Sequence, residues 1–298
     1  MKAKHVIIYL LLVIVTSSCI RDEAPNAEAD ILSCRLPGIT MTTSPIINNN
    51  SVTLFVTPGT NISALAPEFT LTSGATITPA SGTERNFNSP QEYQVTAADG
   101  IWKKTYAISV IDTELATIYN FEDTISGKKY YIFVERENDK VIMEWASGNA
   151  GYAMTGVAKT ADDYPTFQIA NGKNGKCLSL VTRSTGFFGG LVGMPIAAGN
   201  LFIGSFDVNN AMSNPLQATK FGLPFRHVPT YLAGYYKYKA GDQFTEGGKP
   251  VEGKHDICDI YAIMYETSVS VPTLDGTNAF TSPNLVSMAR IKDAKETD

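Results

Sequence analysis

Short extended runs separated by turn-forming residues recur along this chain from Ile31 onward, and no other feature of the sequence limits its fold more. The runs 51–57 (SVTLFVT) and 104–111 (KTYAISVI) are typical, because each is rich in branched and aromatic residues and lies between clusters of Pro, Gly, Asn and Ser. Strands at this spacing, without segments of helical periodicity, are typical of β-sandwiches. The sequence therefore predicts an all-β protein.

The length of 298 residues allows two such sandwiches. Hydrophobic residues make up 44% of the chain and charged residues only 18%, a composition too apolar for disorder. The strand spacing is interrupted near Asp112, so we predict a small antiparallel N-terminal sandwich over 31–112 and a larger one over 113–298. The net charge of −5 offers no basic surface, which excludes nucleic acid as a partner.

Residues 1–18 are predicted to be a signal peptide. An apolar run over 6–15 follows a short basic start, and it is about half as long as a segment that crosses a bilayer. The small residues before Cys19 are similar to a lipobox, which implies cleavage before Cys19, acylation of its thiol and lipid anchoring. Residues 19–30 are polar and acidic, and we predict that they form a flexible tether.

A β-hairpin is predicted around Asp99-Gly100, a pair that favours the positive φ of a tight turn. Its arms are EYQVTA (92–97) and KKTYAISV (103–110). Trp102 follows the turn, and we expect it to pack on its own hairpin; the alternative is a platform for a sugar ring. This stretch resembles the immunoglobulin-like modules that precede many Bacteroidetes surface domains, which implies an immunoglobulin-like stalk.

A second hairpin is predicted from KYYIFVE (129–135) and KVIMEWA (140–146). Alternation in the second arm places Trp145 on the core face and Ile142 and Glu144 on the other face. Trp145 is therefore predicted to lie in the core. The alternative is a position near a loop rim, because a turn follows directly.

The stretch 221–244 combines two prolines, basic residues and a run of tyrosines. The prolines disfavour helical geometry, so we predict a loop that carries Arg226, followed by a strand that begins at Tyr231. Alternation in this strand places Tyr231, Tyr235 and Lys237 on a solvent-exposed face.

Tyr236 and Tyr238 fall on the opposite, core-facing side of the same predicted strand. The run 256–266 alternates in a similar way and places Asp259 and Tyr261 on its outer face. A sugar ring offers an apolar face to an aromatic ring, and its hydroxyls need donors and acceptors. We therefore predict one ligand-binding face, although the same faces could simply be hydrated. Its six members are Arg226, Tyr231, Tyr235, Lys237, Asp259 and Tyr261.

Four segments together resemble one protein family, both in their amino-acid sequences and in their order along the chain. They are WASGN (145–149), AGNLFIG (198–204), FGLPF (221–225) and RHVPTYLAGYYKYKAGD (226–242). They are similar to the PCMD family, the "putative carbohydrate metabolism domain" of Bacteroidetes surface lipoproteins. The resemblance covers this chain from Asp112 to the C-terminus. The resemblance implies a jelly-roll-like β-sandwich for this region and a carbohydrate partner, an oligosaccharide or polysaccharide. It identifies no catalytic residue.

The resemblance also implies a cellular location. Asp22 and Glu23 follow the lipid site and are similar to the signal that sends Bacteroidetes lipoproteins to the outer face of the outer membrane; the alternative is an acidic spacer. We expect a lipid-anchored protein, exposed at the cell surface, that binds glycans for uptake or metabolism.

Two other functions stay open beside glycan binding. A glycoside hydrolase needs two carboxylates roughly 5 to 10 Å apart, and Glu144, Asp242 and Asp259 are weak candidates for them. A structural or adhesive surface protein is the other alternative, and it needs no exposed aromatic cluster.

No metal site and no cofactor are predicted. Besides Cys19, the chain has Cys34, Cys177 and Cys258, and no pair of them has metal-ligand spacing. Cys177 and Cys258 could form a disulfide, or Cys258 could be a small buried residue. The glycines of 171–190 lack the lysine and hydroxyl residue of a phosphate-binding loop.

Overall fold

The computed structural model describes residues 26–268, 270–291 and 294–297. The predictions for the signal peptide, for Cys19 and for the pair Asp22 and Glu23 lie outside the described residues. Strands make up 32% of the described residues and helices 9%, which confirms the all-β class. Within the described ranges, no helix is long and apolar enough to cross a membrane.

The N-terminal domain forms two sheets that enclose one core. One sheet has the order β1-β4 and the other has the order β2-β3-β7-β6-β5. The strands are β1 (Ile31–Arg35), β2 (Ile46–Ile47), β3 (Ser51–Phe55), β4 (Glu68–Leu71), β5 (Thr76–Thr78), β6 (Gln91–Thr96) and β7 (Lys103–Ile111). Strands β3 and β7 are parallel, which differs from the antiparallel arrangement predicted. Parallel neighbours require a crossover, and the chain between β3 and β7 supplies it through the other sheet.

The core of this domain lies between its two sheets. Cys34 from β1, Leu54 from β3, Val95 from β6 and Ile108 from β7 belong to one buried cluster. Strands of both sheets therefore contribute side chains to a shared interior, as expected for a sandwich. Burial raises the pKa of the Cys34 thiol to about 12.

The hairpin predicted at Asp99-Gly100 is present. Thr96 of β6 pairs with Lys103 of β7, and Gly100 has a φ of 69°. The Asp99 carboxylate accepts hydrogen bonds from the backbone N–H groups of residues 101 and 102, at 2.8 and 3.1 Å. The prediction that Trp102 packs on this hairpin is wrong, because its side chain is 64% exposed. Trp102 lies four residues before the first buried side chain of β7, which puts it beyond the reach of the core.

The C-terminal region consists of small antiparallel sheets joined by loops. Their strand orders are β8-β9, β10-β11, β12-β13, β14-β15-β19, β16-β17 and β18-β20. Its strands are β8 (Val134–Glu137), β9 (Lys140–Glu144), β10 (Thr166–Ile169), β11 (Cys177–Leu180), β12 (Arg183–Ser184), β13 (Ile196–Ala197), β14 (Gly204–Phe206), β15 (Thr219–Phe221), β16 (Thr245–Glu246), β17 (Lys249–Pro250), β18 (Tyr261–Tyr265), β19 (Leu274–Asp275) and β20 (Leu285–Arg290). Its short helices are α1 (Asn149–Tyr152), α2 (Gly186–Leu191) and α3 (Pro215–Ala218), with 3₁₀ turns at Ala153–Thr155, Ala161–Asp163 and Val208–Asn210.

The second predicted hairpin is formed by β8 and β9, but its first strand begins later than expected. Asn138 and Asp139 make the turn with φ values of 48° and 65°. The pairing is irregular between Glu135 and Arg136. Contrary to the alternation predicted, Ile142 is 4% exposed, so β9 buries two successive side chains.

The strand predicted to begin at Tyr231 is not formed. Residues 222–244, all of them described, contain neither helix nor strand. The prolines of this segment lack N–H donors for a ladder. The backbone of Tyr238 bonds instead to Thr297 near the C-terminus, through two hydrogen bonds of 3.0 Å.

The three cysteines that the structure describes are free thiols, so Cys177 and Cys258 do not pair. Cys34 is buried and the other two are half-buried.

Candidate functional site

Tyr231 and Tyr235 are the most exposed tyrosines of the segment 222–244. Their side chains are 80% and 83% exposed. The ammonium nitrogen of Lys173 lies 4.9 Å from the centroid of the Tyr235 ring, which is within cation–π range. The exposure predicted for both tyrosines is present, although an extended loop rather than a strand provides it.

The predicted cations of this segment are also exposed. Arg226 and Lys237 are both exposed to solvent. His227 attaches the segment to the start of the C-terminal region, because its Nε2 lies 3.2 Å from a carboxylate oxygen of Glu114. The loop therefore presents donors beside aromatic rings.

Tyr261 does not lie on an open face. Its ring packs edge-on against Phe280, with centroids 4.8 Å apart, and against Phe221 at 6.3 Å. Tyr265, on the same side of β18, donates its hydroxyl hydrogen bond to the backbone oxygen of Phe221. The exposed neighbour in the strand is Ala262. The predicted faces of β18 are thus reversed, because the tyrosine side of the strand packs on Phe221.

Asp259 is held in an ion pair. Arg290 donates two hydrogen bonds of 2.8 Å to its two carboxylate oxygens, and the same guanidinium lies 4.2 Å from the ring centroid of Phe280. Asp259 keeps the exposure that was predicted for it, but it belongs with Tyr261 to a structural cluster that joins β18 to β20.

A broad, open concavity of about 4410 Å³ is lined by residues of both the N-terminal domain and the C-terminal region. We call it the central concavity. It is far larger than a typical pocket for one small ligand, which holds roughly 300 to 1,000 Å³. The predicted binding residues line it, together with aromatic residues and a carboxylate from the β8–β9 hairpin. Its side chains include Tyr119, Tyr130, Glu144, Trp145, Arg226, Tyr231, Tyr235, Lys237 and Tyr261.

An aromatic cluster surrounds Trp145, which is half-buried at the wall of the central concavity. Tyr119 meets the indole edge-on at 5.0 Å, and Phe121 lies 5.4 Å from it. The indole N–H donates a hydrogen bond of 2.9 Å to Glu135. Tyr119, Phe121 and Glu135 are absent from the sequence-based site. Residues 115–120 carry no clear periodicity, so only the aromatic content of that segment could have indicated them.

The pKa values of Glu135 and Tyr119 are both raised, and the charge of Glu135 contributes to the shift of Tyr119. Burial raises the pKa of the Glu135 carboxyl; the hydrogen bond from Trp145 lowers it and the charge of Asp123 raises it. Burial, with a smaller contribution from Glu135, raises the pKa of Tyr119 to about 12. The hydroxyl of Tyr119 therefore stays protonated at neutral pH and can donate a hydrogen bond.

Glu144 is the one predicted catalytic carboxylate that has a distinctive environment. Glu144 is exposed to solvent and lines the concavity. Burial raises the pKa of Glu144, and the charge of Lys128 lowers it. Among the described residues, none forms a hydrogen bond or ion pair with this carboxylate. By contrast, Asp242 is exposed and lies outside the lining of the concavity.

The described part of the chain contains no group of three or more His, Cys, Asp or Glu side chains that could hold a metal ion.

Comparison with protein families assigns both parts of the chain. Residues 120–298 match the family model PCMD, described as "Putative carbohydrate metabolism domain". The chain belongs to the PCMD family. Residues 31–110 match a second model, "SGBP, N-terminal". The family resemblance found in the sequence is thereby confirmed.

Two solved structures are similar to this PCMD protein. One is described as a "putative glycoside hydrolase" from Bacteroides thetaiotaomicron VPI-5482; it is 85% identical, with a TM-score of 0.89, over 93% of this chain and 82% of that chain. The other carries the same description and comes from Bacteroides vulgatus ATCC 8482; it is 48% identical, with a TM-score of 0.56, over 60% of this chain and 73% of that chain. No curated protein matches this chain.

Proposed function

We propose that this PCMD protein binds glycans at the cell surface through the central concavity, with Tyr231 and Tyr235 as stacking residues. The observation that carries the proposal is the exposure of both rings, at 80% and 83%, on a segment that lines this concavity. Exposed apolar side chains that lie together on one surface are typical of ligand-binding sites, whereas single exposed rings are ordinary. The carbohydrate-related family of residues 120–298 supports a sugar as the ligand.

The chemistry of the segment suits a sugar. The C–H face of a pyranose stacks on a tyrosine ring, and Arg226 and Lys237 supply donors for ring and hydroxyl oxygens. Lys173 occupies one side of the Tyr235 ring and leaves the other side for the ligand. In this proposal Asp259 and Tyr261 hold the wall of the site and do not contact the sugar.

Replacing Tyr235 by Ala is expected to weaken glycan binding by about 1 kcal/mol or more, roughly fivefold in Kd, because a stacking surface is lost. Isothermal titration against a panel of plant and host glycans measures this change. Phe187→Ala is the matched control, since Phe187 is also 83% exposed but lies outside the lining of the concavity. If Tyr235→Ala and Phe187→Ala bind glycan with equal affinity, Tyr235 is not part of the binding site.

We also propose that the protein is held at the outer membrane through acylated Cys19. The basic start, the apolar run 6–15 and the small residues before Cys19 support it, and the N-terminal match to a surface glycan-binding protein family fits this location. We expect Cys19→Ala to leave the membrane fraction and to lose the mass of the acyl chains, as measured by fractionation and intact-mass analysis. Equal fractionation of the two proteins would show that lipid does not anchor this chain.

Glycoside hydrolysis is the second candidate, and the accessible, unpaired carboxylate of Glu144 favours it. The two similar Bacteroides structures carry that description as well. A reducing-sugar assay on the same glycan panel separates the candidates. Release of reducing ends that is lost in Glu144→Gln would identify an enzyme, whereas binding without release supports the proposal above.

A further inference from the structure

The tip of the β6–β7 hairpin in the N-terminal domain carries two successive large apolar side chains that are open to solvent. Ile101 is 78% exposed and Trp102 is 64% exposed. Single exposed apolar residues are ordinary on a protein surface, whereas adjacent ones are typical of a surface that contacts a membrane or another molecule. The tip is therefore a candidate contact surface outside the glycan site.

The turn that carries these side chains is held by its own hydrogen bonds. One carboxylate oxygen of Asp99 accepts from the backbone N–H groups of Ile101 and Trp102, at 2.8 and 3.1 Å. The backbone N–H of Ala97 donates to the carbonyl oxygen of Trp102 at 2.9 Å, and that of Gly100 donates to the carbonyl oxygen of Ala97 at 2.9 Å. A backbone fixed in this way loses little conformational entropy when the tip enters a contact.

This turn lies beside the point at which the chain leads back to Cys19. The backbone N–H of Asp99 donates a hydrogen bond of 3.3 Å to the backbone oxygen of Asn26. Asn26 comes seven positions after Cys19 in the sequence, and seven residues span at most about 25 Å. The hairpin tip is therefore within reach of a membrane that holds a lipid on Cys19.

The C-terminal region begins at the opposite end of β7. This strand runs for nine residues from Lys103, next to the tip, to Ile111, and at about 3.3 Å per residue its two ends lie about 30 Å apart. The chain thus enters the C-terminal region at the end of β7 that is farther from the tip. Contact between the tip and the membrane is compatible with a glycan-binding region that lies away from it.

The side chains of the tip suit the interface between lipid and water. An indole has an apolar body and one N–H donor, which explains why tryptophan is enriched at this interface. Ile101 adds apolar surface, and the exposed Lys103 supplies a cation for lipid phosphates.

We propose that Ile101 and Trp102 insert into the headgroup region of the membrane that holds acylated Cys19. The proposal rests on the acylation of Cys19 proposed above. Both side chains are buried together, because insertion of a turn covers all of its sides. The lipid and the hairpin tip then hold the N-terminal domain to the membrane at two neighbouring points.

The test uses the full chain, produced with its signal peptide and reconstituted into vesicles of phosphatidylethanolamine and phosphatidylglycerol. Part of the lipid carries bromine near the headgroup end of an acyl chain, where it quenches tryptophan that touches the interface. The chain has two tryptophans, Trp102 and Trp145. We expect brominated lipid to quench the wild type, relative to the same vesicles without bromine, and we expect this quenching to be lost in Trp102→Phe.

Phe187→Trp in the Trp102→Phe background is the matched control, because position 187 is 83% exposed in the C-terminal region. Its emission should not respond to brominated lipid. If the acylated wild type and Trp102→Phe are quenched equally, or if the control is quenched as strongly as the wild type, the membrane contact is wrong and the lipid anchor stands.

Two further results would also overturn the proposal. If Trp102→Ala binds glycan more weakly than the wild type in isothermal titration, the indole serves a sugar rather than the membrane. If the intact mass of the protein shows no acyl chains, the lipid anchor and the membrane contact fail together.

Discussion

Phe87→Ala should lower the free energy of unfolding of the N-terminal domain by about 3 to 5 kcal/mol, since it removes a large side chain from a closed core. Phe87 is 1% exposed and belongs to the buried cluster shared by both sheets. The total stability of a domain is about 5 to 15 kcal/mol, so this loss is a large part of it. Urea denaturation followed by fluorescence measures the change.

Phe187→Ala again provides a comparison, because the same substitution at 83% exposure should change stability by less than about 0.5 kcal/mol. An unfolding midpoint of Phe87→Ala equal to that of the wild type would contradict the core described here. Because we place the domain boundary near Asp112, we expect the glycan affinity of Phe87→Ala to match that of the wild type below the unfolding transition.

Gly204→Ala is expected to destabilise the C-terminal region by about 3 kcal/mol, from backbone strain and a steric clash together. Gly204 has a φ of 144°, a value that side-chain-bearing residues rarely adopt. An added Cβ would overlap the backbone oxygen of Lys220 and lie 3.1 Å from the Cα of Phe221. Because Gly204 pairs with Phe221 at the end of β15, the clash should also displace the segment that carries Tyr231 and Tyr235.

Thermal unfolding of the variant tests this expectation. Gly190→Ala is the control, because a Cβ at Gly190 meets no atom within 4 Å. We expect Gly190→Ala to melt like the wild type, and Gly204→Ala to melt several degrees lower and to lose glycan affinity. A melting temperature for Gly204→Ala equal to that of the control would contradict the close packing of β14 on β15.

Local features of the fold could be predicted from the sequence. The turn at Asp99-Gly100 depends on the positive φ of one glycine and on the Asp99 side chain, both of which are encoded within a few residues. The β8–β9 hairpin follows from the same kind of local turn. Such features need no knowledge of distant contacts.

Features that depend on distant partners could not be predicted. Whether the segment after Tyr231 becomes a strand depends on a neighbour with which it can pair, and its backbone instead bonds to Thr297. The faces of β18 were reversed because Phe221, 40 residues earlier than Tyr261, decides which side is covered. Parity within a strand gives two alternating faces, but only tertiary packing decides which face is buried.

The candidate site also combines features that local sequence predicts with features that depend on distant partners. Exposure of Tyr231 and Tyr235 followed from their cationic neighbours, and the structure agrees. Glu135 and Trp145 come from the two arms of the predicted hairpin, but Tyr119 comes from a stretch that no local pattern relates to them.

Isothermal titration of the wild-type protein against plant and host oligosaccharides tests the central claim most directly. We predict saturable binding of at least one glycan, with a Kd about fivefold or more higher in Tyr235→Ala and unchanged in Phe187→Ala. The absence of saturable binding to every glycan of the panel, by a protein whose unfolding transition is intact, would contradict the account.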